Sequence, residues 1–345
     1  MNAVIEEALE QMATCGPEFR GGLSNHGPMA ADALVHLGRS EAVTPWVERY
    51  KRRLDVRPPT TAPIDGGNWR PALGDFSLWP AWQALFEREL AAAQWDDVVR
   101  TWVPRLAPGF LAGATHGMLR TAHAVRGLRE GDSPAGRDEL AQGLAYWASR
   151  YYAMPVAPSA EAPKALHHAL AGIPLVPEER RRNNGFITTA VVAVAAEDAF
   201  APVANTLDVS GDIDASLSAF TATFARIYLE NASISPIAFI HSVTAPSAIR
   251  MLKPVVGEEP ARDLLRYGWQ AGAAFIAAYT RSGEIRTWDT PSAVDWEDLA
   301  DRAVAAGDEH AIKMTEACLR EYRLTPDPVF TAAAADVSQR LRIAR

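Results

Sequence analysis

Cysteine is nearly missing from this chain: Cys15 and Cys318 are the only two in 345 residues. Two thiols so far apart exclude a disulfide framework and a CxxC metal site, and the expected setting is a reducing one, the cytoplasm. Basic residues are in deficit, with 34 Lys and Arg against 42 Asp and Glu. The net charge of −8 repels phosphate backbones, so nucleic acid is not an expected partner. The densest basic cluster, EERRRNN at 178–184, is short, flanked by acids and read as a solvated surface. Long apolar runs are lacking too. The most apolar window, ITTAVVAVAAEDAFAPVA from Ile187, meets Glu197 and Asp198 before it reaches the roughly 20 residues a membrane helix needs. The first residues, MNAVIEEALEQMATCG, have neither the basic nor the apolar stretch of a secretory signal and read as an amphipathic helix. No GxGxxG follows a strand and no GxxxxGK[ST] occurs, so a flavin held by a Rossmann unit is not expected. Internal repeats and low-complexity tracts are also lacking.

What is present is helical periodicity, almost throughout. Leu78, Trp82, Leu85, Phe86 and Leu90 fall on one helical stripe, as do Val98, Trp102 and Leu106. Further stripes run through Leu140, Leu144, Trp147 and Tyr151, and through Leu264, Tyr267, Ala271 and Phe275. The best strand candidate, FITTAVVAV from Phe186, passes into alanine-rich sequence without a turn and is read as helix. The expected fold is all-α, a single large multi-helix domain over residues 1–345 with the active site enclosed among helices. Two proline-rich stretches, 56–75 and 154–163, cannot continue a helix and are expected as long loops or linkers.

The eight histidines carry most of the chemical information. His26 sits in LSNHGPMAADALVHLG, at a helix entrance marked by Ser24, Asn25, Gly27 and Pro28, a setting equally suited to a capping residue. His36, ahead of Gly38, reads as a structural residue near the end of that helix. His116 and His123 share one helical face, about 10.5 Å apart along the axis. That is too far for one ion, since a metal–nitrogen bond is about 2.0 to 2.2 Å. One of them is therefore expected to ligate and the other to address substrate or a neighbouring group, unless both simply line the core. His241 ends an apolar run, where an imidazole must find a partner or cost free energy. The adjacent His167 and His168 point about 100° apart on a helix and cannot ligate together. His310 and Lys313 are i and i+3 on one face. A protonated lysine has no lone pair, so the pair holds a metal only if the amine is neutral and has been converted by carbon dioxide to a carbamate.

Taken in order, SNHGPMAADAL, ATHGMLRTAHAVR, FIHSVTAPSAIR and DEHAIKMTEAC resemble the successive motifs of the questin oxidase-like family, from about residue 20 to about residue 325. The order and spacing of the four are more specific than any one of them. The resemblance implies oxygenase chemistry on anthraquinone-type rings of polyketide pathways. It also implies an iron centre, with His26, His116, His241, His310 and a carboxylated Lys313 at the ligand positions. Imidazole and carboxylate-type oxygen suit Fe(II). Five protein ligands leave one octahedral position, so either a ligand moves or dioxygen and substrate do not both bind the metal. His123 is then expected to act as proton acceptor or hydrogen-bond donor toward the substrate. The partners implied are a small polycyclic aromatic molecule and O2, with no membrane.

Three other readings fit the same residues. One is an NADPH-dependent Baeyer–Villiger oxygenase, with NADPH as external reductant. Another is a metal-dependent hydrolase, since carboxylated lysine and histidine also serve sites that activate water. The last is a relative that binds a polyketide without chemistry, against which the presence of all five candidate ligands argues.

Overall fold

The computed structural model describes residues 2–156, 162–182, 185–281, 288 and 295–342. Among them are fifteen α-helices. The first five are α1 (Ala3–Met12), α2 (Gly27–His36), α3 (Val43–Lys51), α4 (Trp79–Ala92) and α5 (Trp95–Leu106). Next come α6 (His116–Glu130), α7 (Pro134–Ser149), α8 (Leu166–Ala171), α9 (Ile187–Ala195) and α10 (Ile213–Asn231). The last are α11 (Pro236–Val256), α12 (Glu258–Tyr279), α13 (Trp296–Ala306), α14 (Glu309–Leu324) and α15 (Pro328–Arg340). The expected all-α fold is observed. Strand is confined, among the described residues, to a two-stranded antiparallel ribbon of β1 (Glu18–Phe19) and β2 (Leu23–Ser24), which pairs Glu18 with Ser24.

The apolar stripes read from the sequence form the core. Trp82, Leu85, Phe86 and Leu90 of α4 are buried with Val98, Trp102 and Leu106 of α5 and with Leu140, Leu144 and Trp147 of α7. The apolar FITTAVVAV stretch is helical as expected, forming α9. The loop at 56–75 is also observed, broken only by one short 3-10 turn at Arg70–Ala72, and Trp69 anchors it against Trp102. Of the stretch 154–163, residues 157–161 lie outside the described residues, as do residues 183–184 of EERRRNN.

Four helices decide where the chemistry sits. α2 packs on α6, α6 on α11, α11 on α14 and α14 back on α2, closing a ring. Each helix carries one histidine at or near its start. His26 caps α2 and is followed by Pro28, which suits a first turn that lacks intrahelical N–H bonds. His116 is the first residue of α6, His310 the second of α14, and His241 lies in the second turn of α11.

Candidate metal centre

The histidine rings close in the same cyclic order as their helices. Ring centroids are 4.3 Å apart for His26 and His116, 4.5 Å for His116 and His241, 5.7 Å for His241 and His310, and 4.6 Å for His310 and His26. Nitrogens of His26, His116 and His310 lie within 4.8 Å of one another. Lys313, one turn along α14 from His310, is 2 % exposed, and its Nζ is 3.1 Å from His26 Nδ1. The five residues singled out in the sequence thus come together, from stretches separated by up to 287 positions.

Local backbone holds these rings. Gly113, Ala114 and Thr115 have φ of 55°, 55° and 75°, a run of three left-handed residues immediately before α6. Such angles are uncommon for any residue but glycine and a clear outlier for a β-branched threonine. The run turns the Gly113 carbonyl onto His116 Nδ1 at 2.5 Å and sets Thr115 Oγ1 3.4 Å from His241 Nδ1. Because a carbonyl can only accept, His116 carries its proton on Nδ1 and keeps a lone pair on Nε2. That Nε2 is buried with no hydrogen-bond partner among the described residues. Gly113 itself has no room for a side chain, since a Cβ there would come 2.6 Å from the Tyr146 hydroxyl. On α14, Asp308 caps the helix through the backbone N–H of His310 and also stands 3.2 Å from His310 Nδ1. One carboxylate starts the helix and orients its histidine. Tyr50 Oη accepts the backbone N–H of His26 at 2.7 Å and fixes the entry to α2.

Electrostatics favour neutral ligands here. Burial holds the imidazoles of His26 and His116 well below their usual value, and the Lys313 amine adds to the effect. Burial also lowers His241, with His116 beside it. The Lys313 amine is pushed down by burial to about 8, against the opposing pull of Glu309 and Asp308. About one amine in ten is then neutral at pH 7, a far larger fraction than for an exposed lysine. Neutral imidazoles with free lone pairs, an orphaned Nε2 and a lysine close to its neutral form fit a divalent metal. The carbamate of Lys313 would be the anionic ligand, and Asp308 and Glu309 directly precede His310 on the same helix.

The four histidines lie at the surface of a cavity of about 680 Å3, whose other walls include Leu111, Tyr152, Phe186, Val191 and Tyr279. Its size is in the range of small-molecule sites. A larger groove, about 970 Å3, lies elsewhere along Arg126, Arg250 and Arg320. Those three arginines are paired with Asp32, Glu316, Glu321 and Asp214.

His123 is not among the residues lining that cavity. Its Nδ1 is 2.6 Å from Asp32 Oδ2, in a buried network where Arg126 joins Asp32 to Glu316. The expected substrate contact is not among its observed contacts: seven residues along α6 carry the ring two turns away from His116 and into this network. His36 bonds the Asp32 carbonyl and Glu130, and His167 and His168 are exposed on the short helix α8. Sequence reasoning missed Asp308, Tyr50 and the left-handed turn. Only Asp308 left a signal, an N-cap residue type directly ahead of the α14 pattern.

The architecture defines an all-helical protein with a buried polyhistidine and lysine site opening onto an apolar cavity. The questin oxidase-like family model matches residues 23–318, and the chain belongs to that family. No curated protein matches it.

Proposed function

We propose that this chain is an oxidoreductase, an Fe(II)-dependent oxygenase that oxidises or cleaves a ring of an anthraquinone-type polyketide. The family to which it belongs supports an oxidase acting on such rings. The observation that carries the metal reading is the closed ring of four histidines beside a buried lysine, with an unpartnered His116 Nε2. His26, His116, His241, His310 and carboxylated Lys313 would hold the metal. Carboxylation joins the neutral Nζ to the carbon of CO2 and releases one proton. Iron(II) held there would supply electrons for the reaction of dioxygen with an electron-rich ring.

The chain's own residues do the rest. The Gly113 carbonyl and Asp308 hold the Nδ1 sides of His116 and His310, so that their other nitrogens stay available. Leu111 and Val191 would give apolar contact and Phe186 a flat aromatic face to a polycyclic ligand. NADPH, if required, would act as an external reductant.

The test is metal analysis of anaerobically purified protein, followed by oxygen uptake with a hydroxyanthraquinone and with its reduced form. Iron at about one per chain with substrate-dependent oxygen consumption is expected. Absence of a transition metal would sink the site. Metal with turnover but no oxygen consumption would assign the same ligands to hydrolysis instead.

A further inference from the structure

The cavity wall is polar along one strip. Glu18 and Ser24 face each other across the ribbon, and both line the cavity. Tyr146 Oη lies 2.8 Å from Ser24 Oγ and donates to Glu18 Oε1 at 2.8 Å. Arg150, directly after α7, then grips Glu18 with two parallel bonds, Nε to Oε1 at 2.7 Å and Nη2 to Oε2 at 2.6 Å. Its guanidinium stacks on Phe76, 3.8 Å from the ring centroid. The strip therefore runs from Ser24, two residues before His26, to Arg150.

Arg150 is the one arginine or lysine lining the cavity among the described residues, and its side chain is 36 % exposed. Pairing with Glu18 uses Nε and Nη2, and Nη1 has no acceptor among the described residues. The guanidinium is locked in place by the carboxylate on one side and the Phe76 face on another, so its unused N–H groups are presented without further ordering. The charge of Arg150 is already balanced by Glu18. A ligand carboxylate arriving there would meet a second carboxylate across the fork, whereas a neutral carbonyl oxygen would gain a charge-assisted bond without that repulsion.

We propose that Arg150 is a specificity-determining residue, whose Nη1 donates to the carbonyl oxygen of a flat aromatic ketone or quinone lying in the cavity. The proposal rests on the reading of this cavity as the substrate site and adds which group on the ligand is read and by which residue. Aromatic contact with Tyr152, Phe186 and Tyr279 retains the ring system, and Arg150 selects its orientation.

The test is equilibrium dialysis of the full chain with 9-fluorenone and with fluorene, tricyclic probes that differ by one carbonyl. Wild type is expected to bind fluorenone the more tightly. Arg150→Met should weaken fluorenone about tenfold or more, as loss of a hydrogen bond from a charged donor does, and leave fluorene within about twofold. Fluorene-9-carboxylate should bind wild type no better than fluorene. Glu18→Gln, which keeps the arginine and frees its charge, should improve the carboxylate probe. Equal losses for both neutral probes in Arg150→Met would make the residue a mere wall bracket and overturn the proposal, as would equal wild-type affinities for the two. If wild type binds neither, the cavity itself is not an aromatic site, and the broader reading fails with the proposal.

Discussion

Lys313 Nζ lies 3.1 Å from His26 Nδ1, both groups buried, at the junction of α2 and α14. Burial has lowered both groups, so this amine gives up its proton more readily than an exposed lysine does. The relationship is what makes the lysine the informative residue of the cluster.

Replacing it tests that directly. Lys313→Met removes a buried amine and leaves an apolar side chain of similar length, so the metal-free variant should melt no lower than metal-free wild type. Its iron content should fall at least tenfold, and 13C-bicarbonate should label wild type alone by NMR. Iron retained at the wild-type level would remove Lys313 from the ligand set.

Asp308 does two jobs that substitutions can separate. Asp308→Asn keeps an N-cap acceptor but loses the charge opposite His310, so stability should stay near wild type while metal affinity drops about 10- to 100-fold. Asp308→Ala should add about 1 kcal/mol of lost stability through the uncapped helix. Calorimetric melts and metal titration read the two effects independently. Equal metal affinity in wild type and the Asn variant would leave Asp308 a cap and nothing more.

Gly113→Ala should be costly for two reasons, a left-handed φ of 55° and a Cβ only 2.6 Å from the Tyr146 hydroxyl. A loss of about 1 to 3 kcal/mol is expected in urea unfolding. The same change should disturb the Gly113 carbonyl and hence the proton on His116 Nδ1, visible as a mixture of tautomers in 15N spectra of the metal-free protein. An unchanged melt would mean that the turn tolerates a side chain and is not under steric control.

Acid should unfold the metal-free protein in steps whose sign is fixed by burial. His123 titrates at about 4 in the fold, held down by burial against the pull of Asp32, and near 6.5 when unfolded. The unfolded chain therefore binds that proton more tightly, and stability present above pH 6.5 is lost as the pH falls toward 4, about 3 kcal/mol from this residue. His26, His116 and His241 are depressed too and act in the same direction. Glu316, held at about 2 by Arg126 and Arg320 against its burial, extends the loss from pH 4.5 downward. His123→Asn should reduce the dependence of unfolding free energy on pH between 6.5 and 4 by about one proton. An identical slope in wild type and variant would contradict the buried neutral state of His123.

Much of this protein was readable along the chain. The helices and their buried faces follow from the 3.6-residue spacing of Trp82, Leu85, Phe86 and Leu90 and its counterparts, because periodicity is a local property that packing then uses. The ligand candidates were legible through the order of four motifs, and the structure brings all five residues to one place. A shared helical face says nothing about what stands opposite it, so the Asp32 partner of His123, 91 residues away on α2, was not legible in the sequence.

Sequence by itself determined that the chain is helical, which faces of α4, α5, α7 and α12 are apolar, and that His26 stands at a helix entrance. Tertiary structure alone decided that α2, α6, α11 and α14 close into a ring, that Lys313 meets His26, and that Arg150 keeps an uncommitted donor in the cavity wall. The physical reason is separation. Periodicity and capping act over a few residues, whereas the pKa of a buried amine and the proton position on a histidine depend on groups brought close only when distant helices bury them together.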